Sequence, residues 1–254
     1  MLPPNLLVFD FDGVIVDGMR EYWWSSRRAC LKLLPGADLP ESAPEQFAQL
    51  RPWIHHGWEM VLIAAMLSER RGPLQRLGTE VFVRDYGAHC SAALDRFGWN
   101  QVLLQQTLEG VRAEAVRNER DAWLALHQPY PGVPERLMAF TEENLSWAVL
   151  TTKARDFTAE LLASMGLKPQ RIDGHESGSK PDVLRRLACD WRLGGFVEDR
   201  RPTLEAVKAT PGLETLPCWL VSWGYLRPAD VIDLSTGISL LHPEQFAAPL
   251  ADWP

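Results

Sequence analysis

Apolar positions along this chain fall into two textures. From about residue 18 to residue 128 they recur at helical spacing: Arg20 to Leu34 is patterned as a helix, and GWEMVLIAAMLSER (57–70) has an apolar helical face that stops at Gly72-Pro73. Residues 100–126 read as one long amphipathic helix. LPGADLPESAPE (34–45) is a loop by its Pro, Gly and Ser content, and TEVFV (79–83) is the one weak strand in this block.

After the proline-rich joint QPYPGVPE (128–135) the pattern alternates. WAVLTTK (147–153), RIDGHE (171–176), GGFVEDR (194–200) and CWLVSWGY (218–225) each begin or read as strands, and helical segments separate them. Such alternation predicts a parallel sheet covered on both faces. The apolar run Leu6 to Phe9, near the start of the chain, belongs with this sheet. The predicted fold class is therefore α/β, a Rossmann-like doubly wound parallel sheet with an all-α domain inserted after the first strand. The domain boundaries read as 1–17 with 129–254 for the α/β part and 18–128 for the helical insert.

Composition narrows the partners. The chain has 254 residues, 46% hydrophobic, with a net charge of −7 and no basic tail, so nucleic acid is excluded as the main partner. No apolar run approaches the ~18 residues of a membrane span. MLPPNLL lacks a charged leader region, and a cytoplasmic location is expected. Cys30, Cys90, Cys189 and Cys218 are isolated and read as reduced thiols. Lysine is rare: only Lys32, Lys153, Lys168, Lys180 and Lys208 occur, which draws notice to any lysine near an acid. Oligomeric state is not legible in the residues.

The chemistry lies at the strand ends, where ligands bind in open parallel sheets. Asp10 and Asp12 are two residues apart, and on an extended chain they would point to opposite faces. Gly13 permits the turn that would let both serve one site. The other predicted strand ends carry Thr151 to Lys153 and Glu198 with Asp199, while Lys180 precedes a helix. Several acids, a hydroxyl and one or two lysines suit a hard divalent cation together with a phosphate.

In order along the chain, these residues resemble the motifs of the haloacid dehalogenase superfamily, in its phosphoglycolate-phosphatase-like subgroup. Asp10-Phe11-Asp12-Gly13-Val14 is similar to the first motif, WAVLT ending at Thr151 to the second, Lys180-Pro181 to the third, and Phe196-Val197-Glu198-Asp199 to the fourth. YPGVPERL and WGY add to the likeness, which covers residues 1–17 and about 129–235. The resemblance implies a phosphatase for a small phosphorylated metabolite. Asp10 would be the nucleophile, giving an aspartyl-phosphate, and Asp12 the proton carrier. Thr151, Thr152 and Lys180 would bind the phosphate, and Mg²⁺ would be held by Asp10, Asp12, Asp199 and Glu198. The dehalogenases of the superfamily lack an acid at the position of Asp12; a halide needs no proton on leaving, whereas an alkoxide does.

Two other functions fit the same residues: a phosphosugar mutase, and a fold relative that has lost catalysis and binds a partner. The chain departs from the fourth motif, because Arg200-Arg201-Pro202-Thr203-Leu204 holds no second acid, and Glu198 is the candidate replacement. Asp17 reads as a helix N-cap or hinge, and Lys153 as either a solvated loop residue or part of the site. The insert is similar to the family's helical cap, with Arg51, His55 and His56 as candidate specificity residues and Glu59 beside them.

Overall fold

A computed structural model of the chain describes residues 5–254; the reading of MLPP at the start of the chain lies outside them. The described chain divides into two compact units, one running to Asp17 and resuming over Gln128–Pro254, the other Gly18–His127.

The first unit is built on a parallel sheet. In chain order its strands are β1 (Asn5–Phe9), β4 (Ser146–Leu150), β5 (Arg171–Asp173), β6 (Arg192–Glu198), β7 (Cys218–Val221) and β8 (Ile238–Leu241). A separate two-stranded antiparallel ribbon joins β2 (Val16–Asp17) to β3 (Gln128–Pro129). The sheet order is β5-β4-β1-β6-β7-β8 and every pairing in it is parallel. The chain builds outward from β1 through β4 and β5, then returns to the other side of β1 with β6. The order therefore reverses at β1, and the crevice beyond its carboxyl end is the switch point where such sheets bind ligands.

Continuous burial explains why β1 is central. Leu6, Leu7, Val8 and Phe9 are all fully buried, as a strand covered on both faces requires. Leu6 and Val8 pack with Ala148, Leu150, Phe196 and Leu220 under the helices Lys180–Asp190 and Arg201–Lys208. Phe9 faces the other way, into an aromatic cluster with Phe140, Trp147 and Phe246. Alternating side chains thus supply two separate cores from one strand.

The second unit is helical, with its longest elements at Met19–Leu33, Gly57–Ser68, Tyr86–Phe97 and Gln101–Asn118. Glu21 is fully buried and held by Arg112 through two hydrogen bonds of 2.7 Å, with Ser25 donating to the same carboxylate. In Gly57–Ser68 every residue from Glu59 to Met66 is buried.

Several elements differ from expectation. Thr79–Phe82 is a helix, not a strand; Phe82 is buried while Val81 is exposed, so one-sided packing overrides β propensity. The helix expected over residues 100–126 breaks at Glu119 into Gln101–Asn118 and Arg120–Leu124. The run CWLVSWGY leaves the sheet at Val221, so residues 222–225 form a turn. Strand β8 and the β2–β3 ribbon were not anticipated. No helix among the described residues is long and apolar enough to cross a membrane.

Candidate active site

Strand β1 ends at Phe9, but its ladder continues one step: the Asp10 amide donates to the Val197 carbonyl at 2.9 Å. The chain then turns away. The amides of Ile15 and Val16 both donate to the Phe11 carbonyl, and the Gly13 amide donates to the Val16 carbonyl. Gly13 has φ +90°, a conformation that penalises a side chain. Asp10 and Asp12 therefore do not point to opposite faces of one strand, because only the first continues the sheet.

Lys180 opens the helix Lys180–Asp190, behind a Ser179 cap that accepts from the Asp182 amide. Its ammonium lies 2.8 Å from Asp10 Oδ1 and 2.7 Å from Glu198 Oε2. Glu198 ends β6 and is fully buried. Its second oxygen, Oε1, accepts from the amides of Asp199 at 3.0 Å and Arg200 at 3.2 Å. Both Glu198 oxygens are thus engaged within the protein. Burial, then Glu198, pushes the Asp10 carboxyl up to about 7 against the pull of Lys180. Burial also raises Glu198, with Lys180 pulling the other way and Asp199 adding to the rise. Lys180 is held above its ordinary value: burial alone would lower it, and Asp10 and Glu198 outweigh that.

Across the site, Thr151 is buried at the end of β4, and its Oγ1 accepts from the Lys153 amide at 3.1 Å. The hydroxyl proton of Thr151 is then available to donate elsewhere. Lys153 Nζ lies 3.5 Å from Asp12 Oδ1, and its side chain is only 7% exposed, which removes the solvated-loop reading. Thr152 is exposed.

Oxygen donors of Asp10, Glu198 and Asp199 lie within 4.8 Å of one another. With Asp12 there are four carboxylates, and two ammonium groups, Lys153 and Lys180, face them. The oxygen-only donor set and the surplus of negative charge fit a hard divalent cation, which Asp10 and Asp199 would hold most directly. Asp199 is seated in a slot walled by backbone. A Cβ on Gly13 would fall 2.0 Å from Asp199 Oδ2, and one on Gly224 would fall 2.3 Å from Asp199 Cβ.

Asp17 is not an N-cap. Gly18 holds that position, and Asp17 Oδ1 instead accepts from the Tyr225 hydroxyl at 2.7 Å. The turn containing Trp223, Gly224 and Tyr225 enters the sequence reading only through a likeness; its available signal is an aromatic–glycine–aromatic triplet one residue after a strand. Arg201 is ion-paired with Glu205 and donates to the carbonyls of Ala229, Ile232 and Asp233.

The remaining candidates lie in the helical unit. The Arg51 guanidinium sits 4.8 Å from the Tyr22 ring centre. The amides of His55 and His56 both donate to Glu59, which also accepts from the Tyr86 hydroxyl at 2.7 Å. Trp23 is buried and stacks edge-on against Phe47.

The chain is 26% identical over 249 residues to a phosphoglycolate phosphatase of Pseudomonas syringae, covering 91% of this chain and 76% of that protein. It is 26% identical over 158 residues to an N-acetylmuramic acid 6-phosphate phosphatase of Pseudomonas aeruginosa, covering 58% of this chain and 68% of the relative. In fold it is similar to the crystal structure of a predicted phosphoglycolate phosphatase from Haemophilus somnus, with a TM-score of 0.60, 18% identity, and coverage of 97% of this chain and 96% of that one. Residues 4–188, a span that includes Asp10, Asp12, Thr151 and Lys180, match the haloacid dehalogenase-like hydrolases, and the chain belongs to that family.

Proposed function

We propose that this protein is a Mg²⁺-dependent phosphatase that hydrolyses a small phosphorylated metabolite through a phosphorylated Asp10. The observation that carries the reading is the Asp10–Lys180–Glu198 chain at the sheet's switch point. It holds one carboxylate against a cation while leaving the site rich in negative charge. The two Pseudomonas relatives, named as phosphatases of phosphoglycolate and N-acetylmuramic acid 6-phosphate, support a phosphate monoester as substrate.

The residues divide the work. Asp10 attacks phosphorus with one carboxylate oxygen, and the bond from phosphorus to the leaving oxygen breaks. Asp12 supplies a proton to that oxygen, then takes one from the water that cleaves the aspartyl-phosphate. Lys180 and the Thr151 hydroxyl hold phosphoryl oxygens. Glu198 keeps Lys180 aimed at Asp10, so its contribution runs through the lysine as much as through any metal. A bound Mg²⁺ would supply charge neutralisation for the phosphoryl group. Arg51, His55 and His56 remain candidates for substrate selection.

The decisive experiment is phosphate release from a panel of phosphorylated metabolites and a generic aryl phosphate, with Mg²⁺ and after exhaustive chelation. Release that stops on chelation is expected. Turnover that survives chelation overturns the metal role, and phosphoryl transfer to a sugar phosphate in preference to water overturns the hydrolase reading.

A further inference from the structure

Strand β7 ends at Val221, and the turn that follows is hydrogen-bonded to other parts of the site. The Trp223 indole donates to the Val14 carbonyl at 3.1 Å, in the loop that follows Asp10 and Asp12. The Tyr225 amide donates to Asp199 Oδ2 at 2.9 Å. The Tyr225 hydroxyl donates to Asp17 Oδ1 at 2.7 Å, on strand β2. One residue thus fastens an oxygen of the metal-ligand candidate through its backbone and an anchor on β2 through its side chain.

The packing leaves this bracket little slack. The Tyr225 ring lies 3.0 Å from where a Gly13 Cβ would sit, and a Gly224 Cβ would fall 2.7 Å from the Gly13 carbonyl oxygen. A displacement of the Tyr225 side chain would therefore bear on its amide, which holds the Asp199 carboxylate.

We infer that Tyr225 is a positioning residue that sets the affinity of the acidic site for a divalent cation by fixing Asp199, with Asp17 as its anchor. This rests on the proposal that the site binds a metal. The tyrosine acts through Asp199. It removes the torsional freedom that Asp199 would otherwise lose when a cation binds.

The test is direct Mn²⁺ binding by electron paramagnetic resonance on the purified 254-residue chain, with melting temperature recorded alongside. Tyr225→Phe keeps the ring and the amide and loses only the hydroxyl. It is expected to weaken Mn²⁺ binding about 3- to 10-fold, as loss of a hydrogen bond to a charged group partly transmitted to the site. Phosphate release should recover most of its kcat at saturating metal. Asp17→Asn retains an oxygen acceptor and should bind like the wild type, whereas Asp17→Ala should match Tyr225→Phe; this pair tests the anchor even if the tyrosine variant fails to fold. Unchanged affinity in Tyr225→Phe or in Asp17→Ala overturns the inference while leaving the metal site standing. Absence of Mn²⁺ binding by the wild-type protein overturns both.

Discussion

Lys153 stands 3.5 Å from Asp12, an ammonium beside the carboxylate assigned to proton transfer. It is one of five lysines in the chain, and its side chain is nearly buried. Its amide also donates to the Thr151 hydroxyl, so one residue touches both the proposed proton carrier and a proposed phosphate ligand. Replacing Lys153 with Met should lower kcat about 10- to 100-fold, less than the roughly 10²–10⁴-fold that a positioned acid–base group itself contributes, because Lys153 acts through Asp12. Steady-state kinetics on an aryl phosphate checks this; an unaltered rate would return Lys153 to the role of a bystander.

Asp10→Asn should abolish phosphate release while leaving the fold intact. It carries a second consequence that needs no substrate. In the metal-free protein the Asp10 carboxyl is pushed up to about 7 from an ordinary 3.8, chiefly by burial. Between those values the folded form holds a proton that the unfolded chain has released, so stability falls as pH rises from about 4 to about 7. Asparagine lacks that proton. In the presence of chelator, the variant's melting temperature should therefore gain on the wild type across this window and hold its advantage above it. A difference that does not change with pH would contradict the placement of a charged Asp10 in a dry pocket.

Glu198→Gln places an amide N–H₂ group where Oε1 or Oε2 now accepts. Oε1 serves the Asp199 and Arg200 amides and Oε2 serves Lys180, so either orientation sets donor against donor. The expected result is a destabilisation of about 1–3 kcal/mol and a large loss of kcat, read by urea denaturation and kinetics on the same preparation. Activity within twofold of the wild type would mean that Lys180 is aimed by Asp10 alone.

Gly13→Ala should cost most of the activity. The new Cβ would fall 2.0 Å from Asp199 Oδ2, and alanine is strained at φ +90°. A normal rate in this variant would show that the slot around Asp199 opens more easily than its geometry implies.

In the helical unit, Arg112→Met takes the bidentate guanidinium from the fully buried Glu21 carboxylate. Breaking such a pair typically costs about 3–5 kcal/mol. Urea denaturation followed by tryptophan fluorescence should show it, with Glu21→Gln/Arg112→Met recovering part of the loss.

What was legible in the sequence follows from how local each signal is. Apolar runs ending in acids gave β1 and β6, and glycine after Asp12 gave the turn, because burial and φ preference act within a few residues. Strand β8, four residues long, and the two-residue ribbon arms are too short to carry a period. Val81 and Phe82 have strand-forming side chains, yet only the packing of Phe82 decides their conformation. Glu198 was readable as an acid at a strand end, but its capture of Lys180 joins residues 18 positions apart and is a property of the fold. The same holds for Tyr225 and Asp17, which lie 208 positions apart.

The amide of Asp10 is the last rung of the ladder between the two central strands. Its exchange with solvent deuterium therefore requires that rung to open, and a rung at the end of a ladder opens by local fraying as well as by global unfolding. Mass-spectrometric labelling of a peptide spanning this residue, compared with one from the interior of the sheet, would consequently report how firmly the proposed nucleophile is held, and would offer a measure of the integrity of the site that is independent of turnover.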